Sequence, residues 1–183
     1  MKKFLLGLTA AAVVALGASR ADAKAVAIYA AGEGGVQNTG EGTPGLGFEL
    51  GARVLLLDGY VGYTVYGPSE SVARGILGVR GGIGDKDVRL VLRAGLGAIR
   101  EEHGALMGTA MAPPTRTGGV ARAGIGLDAR LDPLFYLGFM VDAETFLFPG
   151  SETVAVGGTR VASSYQQGAD VFAALKLTFE LGL

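Results

Sequence analysis

Residues 167–183, QGADVFAALKLTFELGL, alternate between two kinds of side chain along the whole segment. One set is entirely apolar: Ala169, Val171, Ala173, Leu175, Leu177, Phe179, Leu181 and Leu183. Between them lie Gly168, Asp170, Phe172, Ala174, Lys176, Thr178, Glu180 and Gly182. Successive side chains of a β-strand point to opposite faces, so the pattern predicts a strand with one apolar face. Globular strands usually have about five or six residues, whereas a tilted strand that crosses a bilayer needs about 9–11.

The first residues have the order of a secretory signal peptide. Two lysines precede an apolar stretch at 4–18, and Ala21-Asp22-Ala23 fits the small-x-small cleavage rule. We therefore predict that residues 1–23 are a cleaved signal peptide and that residues 24–183 form one domain. The alternative is a retained membrane helix, which requires about 20 apolar residues, more than this stretch offers.

Composition narrows the class of protein. The 183 residues include 32 glycines but no cysteine and no tryptophan, and the net charge is −1. Without cysteine a disulfide framework is excluded, and the near-neutral charge argues against nucleic acid as a partner. No later segment has about 18 consecutive apolar residues, so a place in a membrane requires a closed β-barrel, whose strands leave no unpaired edge in lipid.

Eight alternating segments predict an all-β fold. We place the strands at 25–31, 45–57, 60–66, 71–81, 88–100, 119–131, 135–146 and 167–183. Asp58-Gly59 predicts a tight hairpin turn, and residues 101–117 and 147–166 predict long loops. Short and long connections alternate, as they do in bacterial outer-membrane barrels. The predicted fold is an eight-stranded antiparallel up-and-down transmembrane β-barrel, with both termini on the periplasmic side.

The signal peptide, the eight alternating strands and the apolar end of the last strand together resemble the small OmpA/OmpX-type outer-membrane barrels. The resemblance covers residues 24–183 and implies a monomeric barrel in the outer membrane of a bacterial cell. It also implies outer-membrane lipid, lipopolysaccharide and the barrel assembly machinery as partners. Members of that family typically end in an aromatic residue, whereas this chain ends in Leu183.

The face opposite the apolar one carries charges of both signs. It includes Glu49, Arg53, Arg74, Arg80, Arg89, Arg93, Arg122, Asp128, Arg130, Asp142, Glu144, Asp170, Lys176 and Glu180. An eight-stranded barrel is only just wide enough for side chains, so charges inside it must pair or be solvated. We predict a structural, self-neutralising charge network that fills the barrel interior. An ion or proton path is the alternative interpretation.

Aromatic residues lie near both predicted ends of the strands, among them Tyr60, Tyr66 and Tyr136. Such positions are typical of the interfacial aromatic girdles of membrane barrels. The ordinary preference of strands for aromatic residues explains the same positions.

The search for catalytic or metal-binding groups finds one cluster. His103 is the only histidine and follows Glu101-Glu102 in a predicted loop. This combination could bind a metal or transfer protons, but a single histidine on a loop lacks convergent ligands. Lipid-A-modifying barrel enzymes are similar in strand number, yet Ala105 replaces the serine of a His-x-Ser arrangement and the chain has no Asp-Ser pair. We predict no catalytic residue, no metal ligand and no cofactor.

The predicted function is a structural or surface-interaction role in the cell envelope. The apolar loop at 104–112 could contact lipopolysaccharide, a partner or a second copy, or it could fold onto the barrel rim. Two other functions remain open. One is a soluble, lipocalin-like ligand-binding barrel in the periplasm or secreted, with apolar faces inward and charges outward. The other is a lipid-modifying barrel enzyme.

Overall fold

A computed structural model describes residues 26–38, 42–67, 70–85, 87–103, 112–147, 150–156, 159–165 and 170–182. The strands are β1 (Val26–Gln37), β2 (Thr43–Val54), β3 (Leu57–Tyr66), β4 (Glu70–Gly84), β5 (Val88–His103), β6 (Ala112–Asp132), β7 (Phe135–Phe146), β8 (Gly150–Val156), β9 (Thr159–Tyr165) and β10 (Asp170–Gly182). No helix within these ranges is long and apolar enough to cross a membrane. The predictions for residues 1–23, for most of the 104–112 loop and for Leu183 lie outside the described residues.

Eight of these strands close into an antiparallel barrel. Strands β1 to β7 pair in chain order, β10 pairs with both β7 and β1, and the β5–β6 pairing completes the ring. Because every barrel strand has two neighbours, its backbone N–H and C=O groups bond within the sheet. The predicted eight-stranded antiparallel barrel is confirmed.

The two ends of the barrel differ. At one end, only two or three residues separate β2 from β3 (55–56), β4 from β5 (85–87) and β6 from β7 (133–134), and we call this the turn end. At the opposite end, which we call the loop end, the hairpin β8–β9 pairs with β6 beyond the last residue of β7. The long loop predicted at 147–166 is therefore wrong, since most of it is strand that continues the barrel wall.

The two faces of the wall have opposite character. Large apolar side chains point outward from every barrel strand, as Leu175 (63% exposed) and Leu177 (49%) do on β10. The residues that alternate with them point into the lumen, where Lys176 is only 2% exposed. This arrangement is the reverse of the soluble lipocalin-like alternative, which requires apolar faces inward and charges outward.

The hairpin between β2 and β3 turns three residues earlier than the sequence predicts. The turn is Leu55-Leu56, and Leu55 has a φ of +57°, which is unusual for a residue with a branched apolar side chain. Asp58 and Gly59 lie within β3, opposite Arg53 and Ala52. Asp58 is buried and accepts a hydrogen bond from the Tyr29 hydroxyl (3.2 Å). Asp58 therefore forms a hydrogen bond inside the barrel and takes no part in the turn that an Asp-Gly sequence favours.

The aromatic-girdle interpretation is wrong for three of its tyrosines. Tyr60, Tyr66 and Tyr136 are 6%, 2% and 7% exposed and point into the lumen. Tyr66 packs edge-on against Phe172, with 5.5 Å between the ring centres. These rings form an apolar lining around the interior charges, since their strand positions share the parity of the charged residues.

Candidate functional site

The lumen is the site at which the charged side chains meet. Because the inward face of each strand is every second residue, closing the sheet brings acids and bases from different strands together. We distinguish a central cluster (Glu49, Arg93, Arg122, Asp142, Lys176), a turn-end cluster (Tyr29, Arg53, Asp58, Arg80, Arg89, Asp128, Glu180) and a loop-end cluster (Glu33, Thr64, Arg74, Glu144). Counted over the three clusters, acids and bases are equal in number.

The central cluster is organised by Arg93 of β5. Its guanidinium donates to Asp142 (Nε to Oδ1, 2.7 Å) and to Glu49 (Nη1 to Oε2, 2.9 Å). Arg122 donates to Asp142 (Nη2 to Oδ2, 3.0 Å), and Lys176 pairs with Glu49. Glu49 is 0% exposed, so its charge is compensated by these side chains and not by bulk water.

Aromatic and glycine positions shape the space around this cluster. The Tyr60 ring lies 5.2 Å from the guanidinium carbon of Arg93 and 5.9 Å from that of Arg122, within range of a cation–π attraction. On the wall nearby, a Cβ at Gly124 would clash with the Asp142 carboxylate and come within 3.1 Å of Arg93 Cγ. The missing side chain at Gly124 therefore leaves the room that the ion pair occupies.

The turn-end cluster is a chain of ion pairs. Glu180 accepts from Arg53 (2.8 Å) and Arg89 (3.3 Å), and Asp128 accepts from Arg89 (3.3 Å) and Arg80 (3.4 Å). The guanidinium of Arg89 also lies 4.1 Å from the centre of the Tyr136 ring. The Arg53–Glu180 pair joins strands that are not neighbours in the wall, because β1 lies between β2 and β10.

The loop-end cluster is more loosely bonded. The Thr64 hydroxyl donates to Glu33 (3.1 Å) and accepts from Arg74 Nη1 (3.1 Å). Glu144 lies 3.6 Å from Arg74 Nε and 3.8 Å from Arg122 Nη1, beyond ordinary hydrogen-bond distance. Several buried nitrogen and oxygen atoms of these side chains have no hydrogen-bond partner in the structure.

Twelve of the predicted interior charges fall in these clusters, and two do not. Arg130 lies half-buried at the turn end, where its Nε donates to the carbonyl of Asp132 (3.3 Å). Asp170 is half-buried at the first residue of β10, on the loop end of the lumen. Both residues occupy positions of their strands that face inward, as predicted, but they lie at strand ends, where the lumen opens at the ends of the barrel. The twelve that fall in the clusters are Glu49, Arg53, Arg74, Arg80, Arg89, Arg93, Arg122, Asp128, Asp142, Glu144, Lys176 and Glu180.

Four side chains of the clusters are absent from the predicted interior set: Glu33, Tyr29, Asp58 and Thr64. Glu33 lies in the second half of β1, which the predicted strand (25–31) does not reach. The sequence predicts Tyr29 in an alternating strand (25–31) and Asp58 in a turn, although the two residues bond to each other inside the barrel. Extending the alternation from Tyr29 through Glu33 to Gln37 would have found the first of these.

The Glu101-Glu102-His103 cluster does not lie in a loop, because strand β5 extends to His103. Neighbouring residues of a strand point to opposite faces, so the carboxylates of Glu101 and Glu102 are separated. Glu101 points inward and is 4% exposed, whereas Glu102 points outward and pairs with the exposed Arg100 (2.5 Å). Arg100 and Glu102 come after the last apolar residue on the outer face of β5. Glu101 therefore lies outside the band of apolar residues that covers the outer wall of the barrel. Burial, together with the charges of Asp170 and Glu70, raises the pKa of Glu101 to about 7.

The solved structures that resemble the barrel include two bacterial proteins. The chain matches no protein-family model and no curated protein sequence. The N-terminal β-barrel domain of Pseudomonas aeruginosa OprF superposes with a TM-score of 0.56 at 14% identity, over 85% of this chain and 97% of that one. Neisserial surface protein A (NspA) gives 0.56 at 12% identity, over 85% and 96%. At these identities the likeness shows the fold alone, which is that of the small eight-stranded outer-membrane barrels.

Proposed function

We propose that this protein is an outer-membrane β-barrel with a structural or surface-interaction role, whose lumen is closed by paired charges. The observation that carries the proposal is the apolar outer wall. Exposed large apolar residues occur on every barrel strand, and such extended apolar surface marks contact with a membrane or with another protein. Strands of 12 and 13 residues, as in β7 and β10, have the length that a tilted bilayer crossing needs.

The route to that membrane follows from the N-terminal sequence. Residues 1–23 act as a cleaved signal peptide that directs the chain across the inner membrane. The barrel assembly machinery then inserts the strands, and lipid and lipopolysaccharide surround the apolar wall. In this orientation the turn end faces the periplasm and the loop end faces the cell exterior.

The closed lumen sets the kind of role. The charged groups of the central cluster bind one another across the barrel, with Arg93 and Asp142 only 2.5 Å apart. Their mutual engagement favours a scaffold over a pore, because a permeating ion would have to displace buried ion pairs. It also favours a non-enzymatic role, with the loop end presenting the segments that contact partners.

Fractionation of cell envelopes with an alkaline carbonate wash tests the proposal. We expect the mature protein in the outer-membrane pellet, without residues 1–23 by N-terminal sequencing. A known periplasmic soluble protein serves as the control and should appear in the wash. Recovery of the chain in the wash would contradict the membrane location and favour the soluble barrel instead.

Planar-bilayer recording tests the closed lumen separately. Purified, refolded protein should give no discrete conductance steps, while a reference porin in the same bilayers should give them. Steps that depend on the amount of this protein would contradict the closed lumen but leave the membrane location intact.

A further inference from the structure

A small, partly open cavity lies at the loop end of the lumen, above the central cluster. Its polar lining comes from six barrel strands and includes Gln37, Arg74, Glu101, Arg122, Glu144 and Asp170. The cavity gives the centre of a water molecule about 20 Å³ of space. One ordered water needs roughly 10–15 Å³ by the same measure, so the space fits one such molecule.

The side chains around this cavity have unused hydrogen-bonding atoms. Gln37 is 5% exposed, and its amide oxygen has no partner. Glu144 Oε2, Arg74 Nε and both Nε and Nη1 of Arg122 also have none. A buried polar atom without a partner costs about 1–3 kcal/mol, so such atoms usually mark an ordered water.

The distances within the lining match a bridged arrangement. Glu144 Oε2 lies 3.6 Å from Arg74 Nε and 3.8 Å from Arg122 Nη1. Polar groups separated by slightly more than a hydrogen bond are commonly joined through water. Since the unused atoms include both acceptors and donors, a molecule that donates and accepts is required, and water does both.

Glu101 adds an excess of negative charge beside the cavity. It is faced by Glu70 of β4, Glu144 of β7 and Asp170 of β10, whereas Arg116 of β6 opposes them. Arg74, Arg122 and Asp142 line the same space and belong to the clusters below. A carboxylate that is buried among other carboxylates is more stable when it holds a proton.

We propose that this cavity is a binding site for one water molecule and one exchangeable proton, which is carried by the Glu101 carboxyl group. The elevated pKa of Glu101, about 7, agrees with this assignment. Loss of the proton adds one negative charge among the ends of β4, β5, β7 and β10. The loop end of the barrel therefore changes its charge, and the repulsion between these strand ends, across the neutral pH range.

Infrared titration of the folded protein in detergent micelles tests the proton. Wild-type protein should show the carbonyl band of a protonated carboxyl group that disappears between about pH 6 and about pH 8. Glu101→Gln should lack this band. Glu102→Gln, a matched change one residue away on the outward face, should keep it. A wild-type band already absent at about pH 6, or a band that persists in Glu101→Gln, would overturn the proposal.

A second variant tests the water. Gln37→Leu removes the unpartnered amide oxygen at similar volume and leaves the carboxyl groups in place. We expect the Glu101 titration midpoint to rise by about half a pH unit or more, because a drier carboxyl group is harder to ionise. Circular dichroism confirms that the variant barrel is folded. An unchanged midpoint in the folded variant would overturn the bound water.

Discussion

Arg93 of β5 and Glu49 of β2 bind each other across the barrel, with 2.9 Å between Nη1 and Oε2. Strands β3 and β4 lie between β5 and β2 in the wall, so the contact crosses the lumen and does not follow the sheet. The same guanidinium holds Asp142 of β7 at 2.5 Å. One side chain thus links three strands that are not neighbours, through two charge-assisted contacts.

Removal of Arg93 should destabilise the barrel strongly. Arg93→Met keeps an apolar chain of similar length but leaves Glu49 and Asp142 buried with fewer partners. Loss of one partner of a buried ion pair typically costs about 3–5 kcal/mol. The measurement is the free energy of unfolding in urea, with the protein inserted in lipid vesicles.

Two companion variants identify the cause. Arg100→Met removes an arginine whose side chain is 62% exposed and should change the free energy by less than about 0.5 kcal/mol. Adding Glu49→Gln to Arg93→Met should recover part of the loss, because one uncompensated charge is removed. Equal stability of Arg93→Met and wild type would rule out a stabilising central cluster.

Leu177 should be intolerant of charge because it faces outward near the middle of β10. Leu177→Arg places a cation against the hydrocarbon core, which costs roughly 2–4 kcal/mol at the midplane of a membrane barrel. Leu46→Arg, closer to the loop end of β2, should cost only about 0–1 kcal/mol. Folding yield into lipid vesicles, read by heat-modifiable mobility on gels, measures both. Equal yields for the two variants would contradict the depth assigned to Leu177.

The raised pKa of Glu101 predicts how stability depends on pH. Below the ordinary value of 4.5, the folded and unfolded states both hold the proton, and burial of the carboxyl group carries no ionic penalty. Between 4.5 and about 7 only the folded state keeps it, so this contribution to stability falls as the pH rises. Above that range the penalty is constant.

Comparison of Glu101→Gln with wild type isolates this effect from other titrating groups. The unfolding free energy of the variant, relative to wild type, should increase from about pH 5 to about pH 8. Glu102→Gln should show no comparable trend, because its carboxylate is half exposed and paired with Arg100. A flat difference for Glu101→Gln would mean that its carboxyl group titrates normally.

Two neighbouring glycines should respond oppositely to alanine. A Cβ at Gly75 of β4 would meet no atom within 4 Å, so Gly75→Ala should be neutral or stabilise by about 0.5–1 kcal/mol. A Cβ at Gly97 of β5 would clash with the carbonyl of Gly75 and come within 2.8 Å of Ile76 Cδ1. Gly97→Ala should destabilise by about 1–3 kcal/mol, as overpacking does. Thermal unfolding in micelles compares them, and matched losses would contradict the open space at Gly75.

The sequence predicts which segments are strands and which of their side chains face outward, because both depend on the alternation of residues along a short segment. The predicted strand at 135–146 coincides with β7 (Phe135–Phe146), where every second residue from Phe135 to Ala143 is apolar. The second half of β1 was missed because glycines interrupt its alternation. The hairpin β8–β9 was missed because its strands are short and pair with β6, far from them in the chain.

The turn at Leu55-Leu56 shows how tertiary contacts override local preference. Asp-Gly is a strong turn sequence, yet Asp58 is bonded to Tyr29 inside the barrel and Gly59 pairs with Ala52. The register that buries Asp58 moves the turn to residues with poor turn propensity. This displacement of the turn depends on Tyr29 of β1, which is 29 residues from Asp58 in the chain. The residues around Asp58 alone therefore do not predict it.

The sequence by itself determined which side chains point outward and which point into the lumen, because the two-residue period of a strand fixes this locally. Only the tertiary structure decided that Arg93 meets Glu49 and Asp142, and that Glu101 is buried beside Asp170. Those contacts depend on how the sheet closes and on the stagger of its strands, which brings residues from opposite walls to the same height. Alternation along one strand contains no information about that height.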